Sequence, residues 1–322
     1  MNDDELLEKK IEKSKHALLL ASKMSLDYYD EPLIVSYSGG KDSDVLVHLA
    51  RTCLDPSSFE VMCSHTSVEA PQTVYHIKEI FKDLNDNGIK TILHIPRYAD
   101  GKQITMWNLV PNKLMPPTRI HRYCCEVLKE SSTPYRICAL GVRESESVNR
   151  SGRDTFSVKG MVKREAIYYS LDHAEEVYTK NKITPQYECA MIKTLKSNKE
   201  VLVNPIYEWT DDDIWNYINK YNLKVNPLYY PPYNFPRVGC VGCPMGGGVN
   251  QMQEFTLFPK YKLMWMNAFD RLLKERERRG LDISIKWKDA ETMFYWWTES
   301  IKYFDLRIKQ YDAEEIGTDR RE

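Results

Sequence analysis

Six consecutive residues, Ser38-Gly39-Gly40-Lys41-Asp42-Ser43, carry the types that bind phosphate. Two adjacent glycines let the backbone turn tightly and aim its amide N–H groups at a ligand. Lys41 adds a full positive charge, and Ser38 and Ser43 add hydroxyls. The spacing differs from the usual P-loop, because G-x-x-x-x-G-K-[ST] is absent. Leu33–Tyr37 before the loop is a short apolar, β-branched run, which predicts a buried strand. Val45, Leu46 and Leu49 after it fall at helical spacing, so the loop sits at a helix start whose partial positive charge favours an anion. A turn that only reverses the chain is the plainer alternative.

The eight cysteines, at 53, 63, 124, 125, 138, 189, 240 and 243, offer a second chemistry. In a reducing compartment clustered cysteines mean metal or redox work rather than a disulfide framework. Cys124 and Cys125 are neighbours and cannot bridge each other without severe strain. Arg119, Arg122 and Lys129 around them suit a site that stabilises thiolates. Cys240 and Cys243 form a C-x-x-C with Gly242 inside and Pro244 after it, a spacing at which two thiolates can share one metal. By ligand count the four suit zinc or a [4Fe–4S] cluster. A thioredoxin-like dithiol is disfavoured by the late position of Cys240. Cys53 and Cys63 read as buried small apolar residues, and Cys189 receives no role. Arg143 and Arg150, seven positions apart with serines between, suit a grip on phosphate or sulfate; a solvated charged loop is the alternative.

These residues need elements to hold them. A helix is expected from about Asp4 to Tyr28, strands at Phe59–Cys63, Lys90–Ile95 and near Tyr135–Val142, and a helix over Pro71–Leu84. Strands alternating with helices imply an α/β, doubly wound, mainly parallel sheet. Ligands of such sheets sit at the carboxyl ends of the strands, which brings loop 38–43 and the segment after Cys63 to one rim. Residues 151–200 are polar, and an insertion or mobile flap is expected there. Thr210 is a candidate N-cap followed by acidic residues. A long helix should run from about Pro259 to Arg279, ended by Gly280, with its Lys274–Arg279 tail solvated. Tyr295-Trp296-Trp297 is either core or a base-stacking cluster. With 45 Lys+Arg against 46 Asp+Glu, no global charge bids for nucleic acid. No run approaches the roughly 20 apolar residues of a membrane span, and the acidic Met1–Glu5 start is unlike a signal peptide, so a cytoplasmic protein without membrane partners is expected.

Loop 38–43 resembles the PP-loop of the ATP pyrophosphatase superfamily, where S-G-G-x-D-S grips the pyrophosphate part of an adenine nucleotide. The segment His65–Thr73 resembles the D-T-G-x-x-F-P-E-T element of phosphoadenylyl sulfate (PAPS) reductases: Thr66, Pro71 and Thr73 agree, whereas His65, Ser67 and Gln72 depart. Gly141–Arg150 is similar to the family's G-x-R-x-x-[EQ]-S-x-x-R element, and Asn204–Ile218 to its N-P-[IL]-x-x-W-T-x-x-D-[IV]-W-x-Y-I element. C-C followed far downstream by C-x-x-C is similar to the iron–sulfur branch, which favours [4Fe–4S] over zinc. The resemblance covers roughly residues 30–250. It implies a PP-loop (adenine nucleotide alpha-hydrolase-like) domain over 1–250 and a helical C-terminal extension over 251–322.

The same resemblance implies roles. Ser38, Gly39, Gly40, Lys41, Asp42, Ser43, Thr66, Arg143 and Arg150 would bind the nucleotide, ATP or an adenylyl sulfate-type compound. Lys41, Asp42 and Arg143 would serve catalysis, with Asp42 and Ser43 helping to hold Mg²⁺. Cys124, Cys125, Cys240 and Cys243 would hold the cluster. Sulfonucleotide reductases carry a catalytic cysteine in a C-terminal E-C-G-[IL]-H segment, and no cysteine follows Cys243 in this sequence. The leading expectation is therefore an ATP pyrophosphatase-type enzyme activating a substrate for sulfur transfer, like relatives that thiolate tRNA or place phosphorothioates in DNA. A nucleic-acid substrate and a sulfur donor such as a cysteine desulfurase would be its partners. A reductase borrowing another thiol, for example Cys189, and a non-catalytic nucleotide or redox sensor are the alternatives.

Overall fold

The computed structural model describes residues 3–133, 135–146, 150, 152–159, 166–281 and 287–318. In chain order the elements begin α1 (Asp3–Tyr29), β1 (Leu33–Ser36), α2 (Lys41–Cys53), β2 (Phe59–Ser64), α3 (Pro71–Asp86), β3 (Thr91–His94), α4 (Met106–Lys113), α5 (Tyr123–Cys125) and β4 (Ile137–Ala139). They continue with β5 (Phe156–Lys159), β6 (Ala166–Tyr169), α6 (Leu171–Ile183), α7 (Ala190–Lys196), β7 (Val201–Val203), α8 (Asp211–Lys220), α9 (Gly248–Leu257), α10 (Pro259–Arg278), α11 (Ala290–Thr298) and α12 (Ile301–Thr318). Two compact units share the chain: Met1–Ser64, Pro71–His94 and Glu130–Val238 form the first, and His65–Ala70, Ile95–Lys129 and Gly239–Glu322 the second. The units interleave along the chain, whereas the expected division at residue 250 is a boundary in sequence.

The first unit is built on a seven-stranded sheet of order β3-β2-β1-β4-β7-β5-β6. The five strands from β3 to β7 run parallel, and β5 and β6 complete the edge antiparallel. Leu33, Ile34 and Val35 of β1 are all wholly buried, as a central parallel strand covered on both faces requires. Leu18, Ala21 and Met24 of α1 and Val45, Leu46 and Leu49 of α2 supply the helical side of the same core. Cys63 and Cys138 are buried, while Cys53 is half-buried against the core. Described residues of the 151–200 stretch supply two strands of the sheet and the helices α6 and α7. Strand order reverses between β1 and β4, so the loops leaving these two strands flank the switch point at which open α/β sheets bind ligands.

The second unit is helical. α4 packs on α10, and α9, α10 and α11 pack together. Their shared core is aromatic: Trp265 and Trp297 lie 4.6 Å apart between ring centres, and Phe255 and Phe294 5.2 Å. Trp297 also donates from Nε1 to the Pro117 carbonyl at 2.7 Å. Trp297 is therefore core, not a base-stacking surface. The α10 tail is ion-paired in solvent, with Glu275 accepting from Arg278 and Arg279. Among the described residues no helix is long and apolar enough to cross a membrane.

Candidate functional site

The loop leaving β1 has the geometry that its two glycines require. Gly39 has φ +73°, a region in which a side chain is strained, and a Cβ there would lie 2.9 Å from Ile77 Cγ1 and 3.1 Å from Thr73 Cγ2. Ser43 spends its hydroxyl inside the loop, donating to the Gly40 carbonyl at 2.7 Å and accepting from the amides of Ser38 and Gly40 at 3.2 Å. Ser43 thus shapes the turn. The Lys41 amide donates to Tyr229 Oη at 3.0 Å. On the other side of the switch point, Gly141 approaches the loop so closely that a Cβ would meet the Asp42 carbonyl carbon and oxygen at 3.3 Å.

Two buried cations converge on this turn. Lys41 and Arg143 are each only 4% exposed. Lys41 Nζ lies 2.9 Å from Asp211 Oδ1 and 3.6 Å from Asp42 Oδ2. Arg143 donates from Nε to Asp42 Oδ1 at 2.5 Å, from Nη2 to Asp211 Oδ1 at 3.0 Å and from Nη1 to Ser145 Oγ at 3.0 Å. Burial would raise the Asp211 carboxyl, but Lys41 and Arg143 hold it below its ordinary range. The result is a closed square of two cations and two carboxylates.

Sequence reasoning found Lys41, Asp42 and Arg143 and missed what fastens them. Asp211 appeared only as one acidic residue in a helix's first turn; the signal was its place next to the Thr210 cap, which the structure confirms. Asn226, wholly buried, donates from Nδ2 to the Gly39 carbonyl at 2.9 Å and to Thr73 Oγ1 at 3.0 Å. Asp44, in the first turn of α2, accepts at Oδ1 from Tyr37 Oη at 2.6 Å and pairs with His76 Nε2 at 2.9 Å. Arg150 pairs with Glu146, and its carbonyl accepts from Tyr207 Oη at 3.0 Å. The serine at 147 in that motif lies outside the described residues.

Thr66 and the four cysteines fall in the second unit. The segment carrying Cys240 bridges to Glu69 in an antiparallel fashion, with the Val241 amide donating to the Val68 carbonyl at 2.8 Å. Thr66 Oγ1 lies 3.5 Å from Cys240 Sγ and donates to Glu69 Oε1 at 2.6 Å. Gly242 turns the C-x-x-C at φ +80°. A Cβ there would lie 2.5 Å from Phe255 Cζ and 2.8 Å from Trp265 Nε1. Glu254 accepts from the Gly242 amide at 2.5 Å, and burial pushes its carboxyl up to about 7. Arg119 Nε donates to the Pro244 carbonyl at 3.1 Å, tying the two cysteine segments together.

Among the described residues no group of three or more His, Cys, Asp or Glu side chains stands ready to hold a metal ion. The donor chemistry nevertheless fits a thiolate-bound centre. Cys124 hydrogen-bonds to Cys125 and pulls its thiol below the ordinary value; burial opposes this, and Arg122 and Lys129 add to it. Cys240, against burial and with help from Cys125, Cys243 and Glu69, holds the Lys129 ammonium above its ordinary range. The hydrogen bond to Cys125 and burial push the Cys124 thiol up, and burial pushes the Cys243 thiol up, so Arg122 and Lys129 favour the thiolate at Cys125.

The phosphoadenosine phosphosulfate reductase domain model matches residues 32–245. An uncharacterised protein of Methanocaldococcus jannaschii is 25% identical over 240 residues, which are 73% of this chain and 47% of that protein, so this chain spans about half of its length. The adenosine 5'-phosphosulfate reductase of Anoxybacillus flavithermus is 21% identical over 72% of this chain and 81% of its own. Subunit 2 of sulfate adenylyltransferase from Shewanella amazonensis is 24% identical over 64% of this chain and 62% of its own.

Proposed function

The chain belongs to the phosphoadenosine phosphosulfate reductase domain family, and from that premise we propose that it is an ATP pyrophosphatase-type enzyme activating a substrate for sulfur transfer. One observation carries the reading: two buried cations, Lys41 and Arg143, stand at the sheet's switch point beside a glycine turn that opens a helix. That is a pyrophosphate cradle. In the proposed step a substrate oxygen attacks the α-phosphorus of ATP, the bond to the bridging oxygen breaks, and pyrophosphate leaves with the electron pair. Lys41 neutralises the departing pyrophosphate and Arg143 the charge on the α-phosphate. Asp42 orients Arg143 through the 2.5 Å contact. The outer sulfur of a persulfide on the donor then attacks the activated atom, and AMP leaves with the bonding electron pair. A thiol reductant cleaves the resulting S–S bond to give the thiolated product and the donor's free thiol. The sulfate adenylyltransferase relative supports adenylation as the chemistry, by its name.

In this reading Cys124, Cys125, Cys240 and Cys243 hold a [4Fe–4S] cluster, which would bind or relay the incoming sulfur. Arg122 and Lys129 favour the thiolate at Cys125, and Gly242 lets the backbone turn tightly between Cys240 and Cys243. The sulfur acceptor is a nucleic acid and the donor a cysteine desulfurase-type protein; Arg119, His121 and Arg122, exposed beside the cysteines, suit a phosphate backbone.

The test is pyrophosphate release from ATP by anaerobically prepared protein, offered single-stranded DNA and tRNA as acceptors. Lys41→Ala should lower the rate by about a hundredfold or more, as loss of one transition-state charge partner does. Sulfite release from adenylyl sulfate with a thiol reductant, without pyrophosphate from ATP, would instead make the chain a reductase.

A further inference from the structure

The square of charges at the phosphate cradle is electrically closed. Lys41 and Arg143 supply two positive charges, and Asp42 and Asp211 two negative ones, with contacts of 2.5 to 3.6 Å. The two cations are buried, their side chains 5% exposed, whereas the Asp211 side chain is 59% exposed. Asp211 touches both cations through the same oxygen, Oδ1. It therefore occupies the position from which a phosphate oxygen would contact Lys41 and Arg143 together. Asp42 cannot be exchanged as easily, because it lies within the loop next to Lys41 and is only 19% exposed.

We propose that Asp211 is a resident anion in the cradle, and that it makes the cradle select a polyphosphate carrying a divalent cation over a bare phosphate or sulfate ester. The inference rests on the reading of loop 38–43 as a pyrophosphate site. A bare anion entering the square meets no net positive charge and must expel Asp211 from two ion pairs. Bound Mg²⁺ cancels two of the negative charges that such an anion brings. The exposed carboxylate of Asp211 can then ligate the cation from the solvent side, as hard divalent ions with carboxylate and phosphate ligands require. Asp211 is thus a positioning and selecting residue, and the ligand class it favours is a magnesium-complexed nucleoside polyphosphate.

Asp211→Asn tests this cleanly, since the amide oxygen can still accept from Lys41 and Arg143 while the charge is gone. The measurement is calorimetric titration of inorganic pyrophosphate into the full chain, once with EDTA and once with excess Mg²⁺. The wild type should bind about tenfold tighter with Mg²⁺, and Asp211→Asn should tighten metal-free binding by about tenfold while its Mg²⁺ advantage collapses. Asp211→Ser serves as a second neutral variant and should shift the same two affinities in the same directions, with the thermal melt confirming an intact fold. An unchanged Mg²⁺ advantage in both variants, or weaker metal-free binding, overturns the proposal. Lys41→Ala separates the two levels of the argument. If it abolishes binding while Asp211→Asn changes nothing, only the role of Asp211 falls. If it leaves binding intact, or the wild type binds no pyrophosphate, the cradle itself is misread and the proposal falls with it.

Discussion

At the scale of single residues the structure singles out positions where one atom decides. Gly242 is the sharpest. Its backbone lies at φ +80° and a Cβ would stand 2.5 Å from Phe255, so Gly242→Ala combines backbone strain with overpacking. Each mechanism costs about 1–3 kcal/mol, and the variant should unfold earlier in urea and retain less iron after anaerobic purification; a wild-type midpoint would contradict the account. Asn226 is a second such position. It is wholly buried, donates from Nδ2 to the Gly39 carbonyl and Thr73 Oγ1, and accepts at Oδ1 from the Leu228 amide. Asn226→Ala leaves those groups without partners, which costs about 1–3 kcal/mol for each buried group left unmade. The glycine turn should slacken as well, seen as weaker pyrophosphate binding.

At the scale of elements, α9 carries a pH dependence. Glu254 accepts from the Gly242 amide, and burial raises its carboxyl from 4.5 to about 7. A carboxyl raised by folding favours the folded state in its protonated form. Its stabilising contribution is fully present below pH 4.5 and is lost as pH rises through 7. Glu254→Gln should flatten this slope and stabilise the protein near pH 8 by on the order of 1–3 kcal/mol, read from urea unfolding at pH 5 and pH 8. A slope equal to that of the wild type would count against it. The helix α8 shows a different logic. Thr210 and Asp213 close its capping box, each side chain accepting from the other's amide. That cap leaves Asp211 at the first turn with its side chain free to reach Lys41 and Arg143.

At the scale of the whole molecule, the Lys41–Arg143 charge square and the four cysteines are each assembled within their own compact unit. The thiol unit should bind iron and sulfide, with roughly four irons per chain for a cluster held by four thiolates. Cys125→Ser should remove most of both, since it deletes the thiol that Cys124, Arg122 and Lys129 favour as the anion. A colourless protein loaded with zinc would replace the cluster by a tetrahedral thiolate site.

Much of this was legible in the linear order of residues, because the relevant interactions are local. A glycine pair, a lysine and a helix start within six positions make an anion-binding turn wherever they fold, and C-x-x-C defines its own loop. The alternation of apolar runs and helical patterns likewise implied the parallel sheet, since burial on both faces imposes continuous apolar strands. Other features came only from the tertiary structure. The contact between Lys41 and Asp211 spans 170 positions along the chain, and no periodicity encodes it. Asn226 reached Gly39 only when the chain returned to the rim of β1. Thr66, grouped with the nucleotide loop by motif, stands at Cys240 Sγ, because the strand-like pairing of Glu69 with Cys240 draws its segment to the cysteines. Local chemistry named the groups; only long-range folding decided which charges face each other, and so set the Asp211 carboxylate against both Lys41 and Arg143.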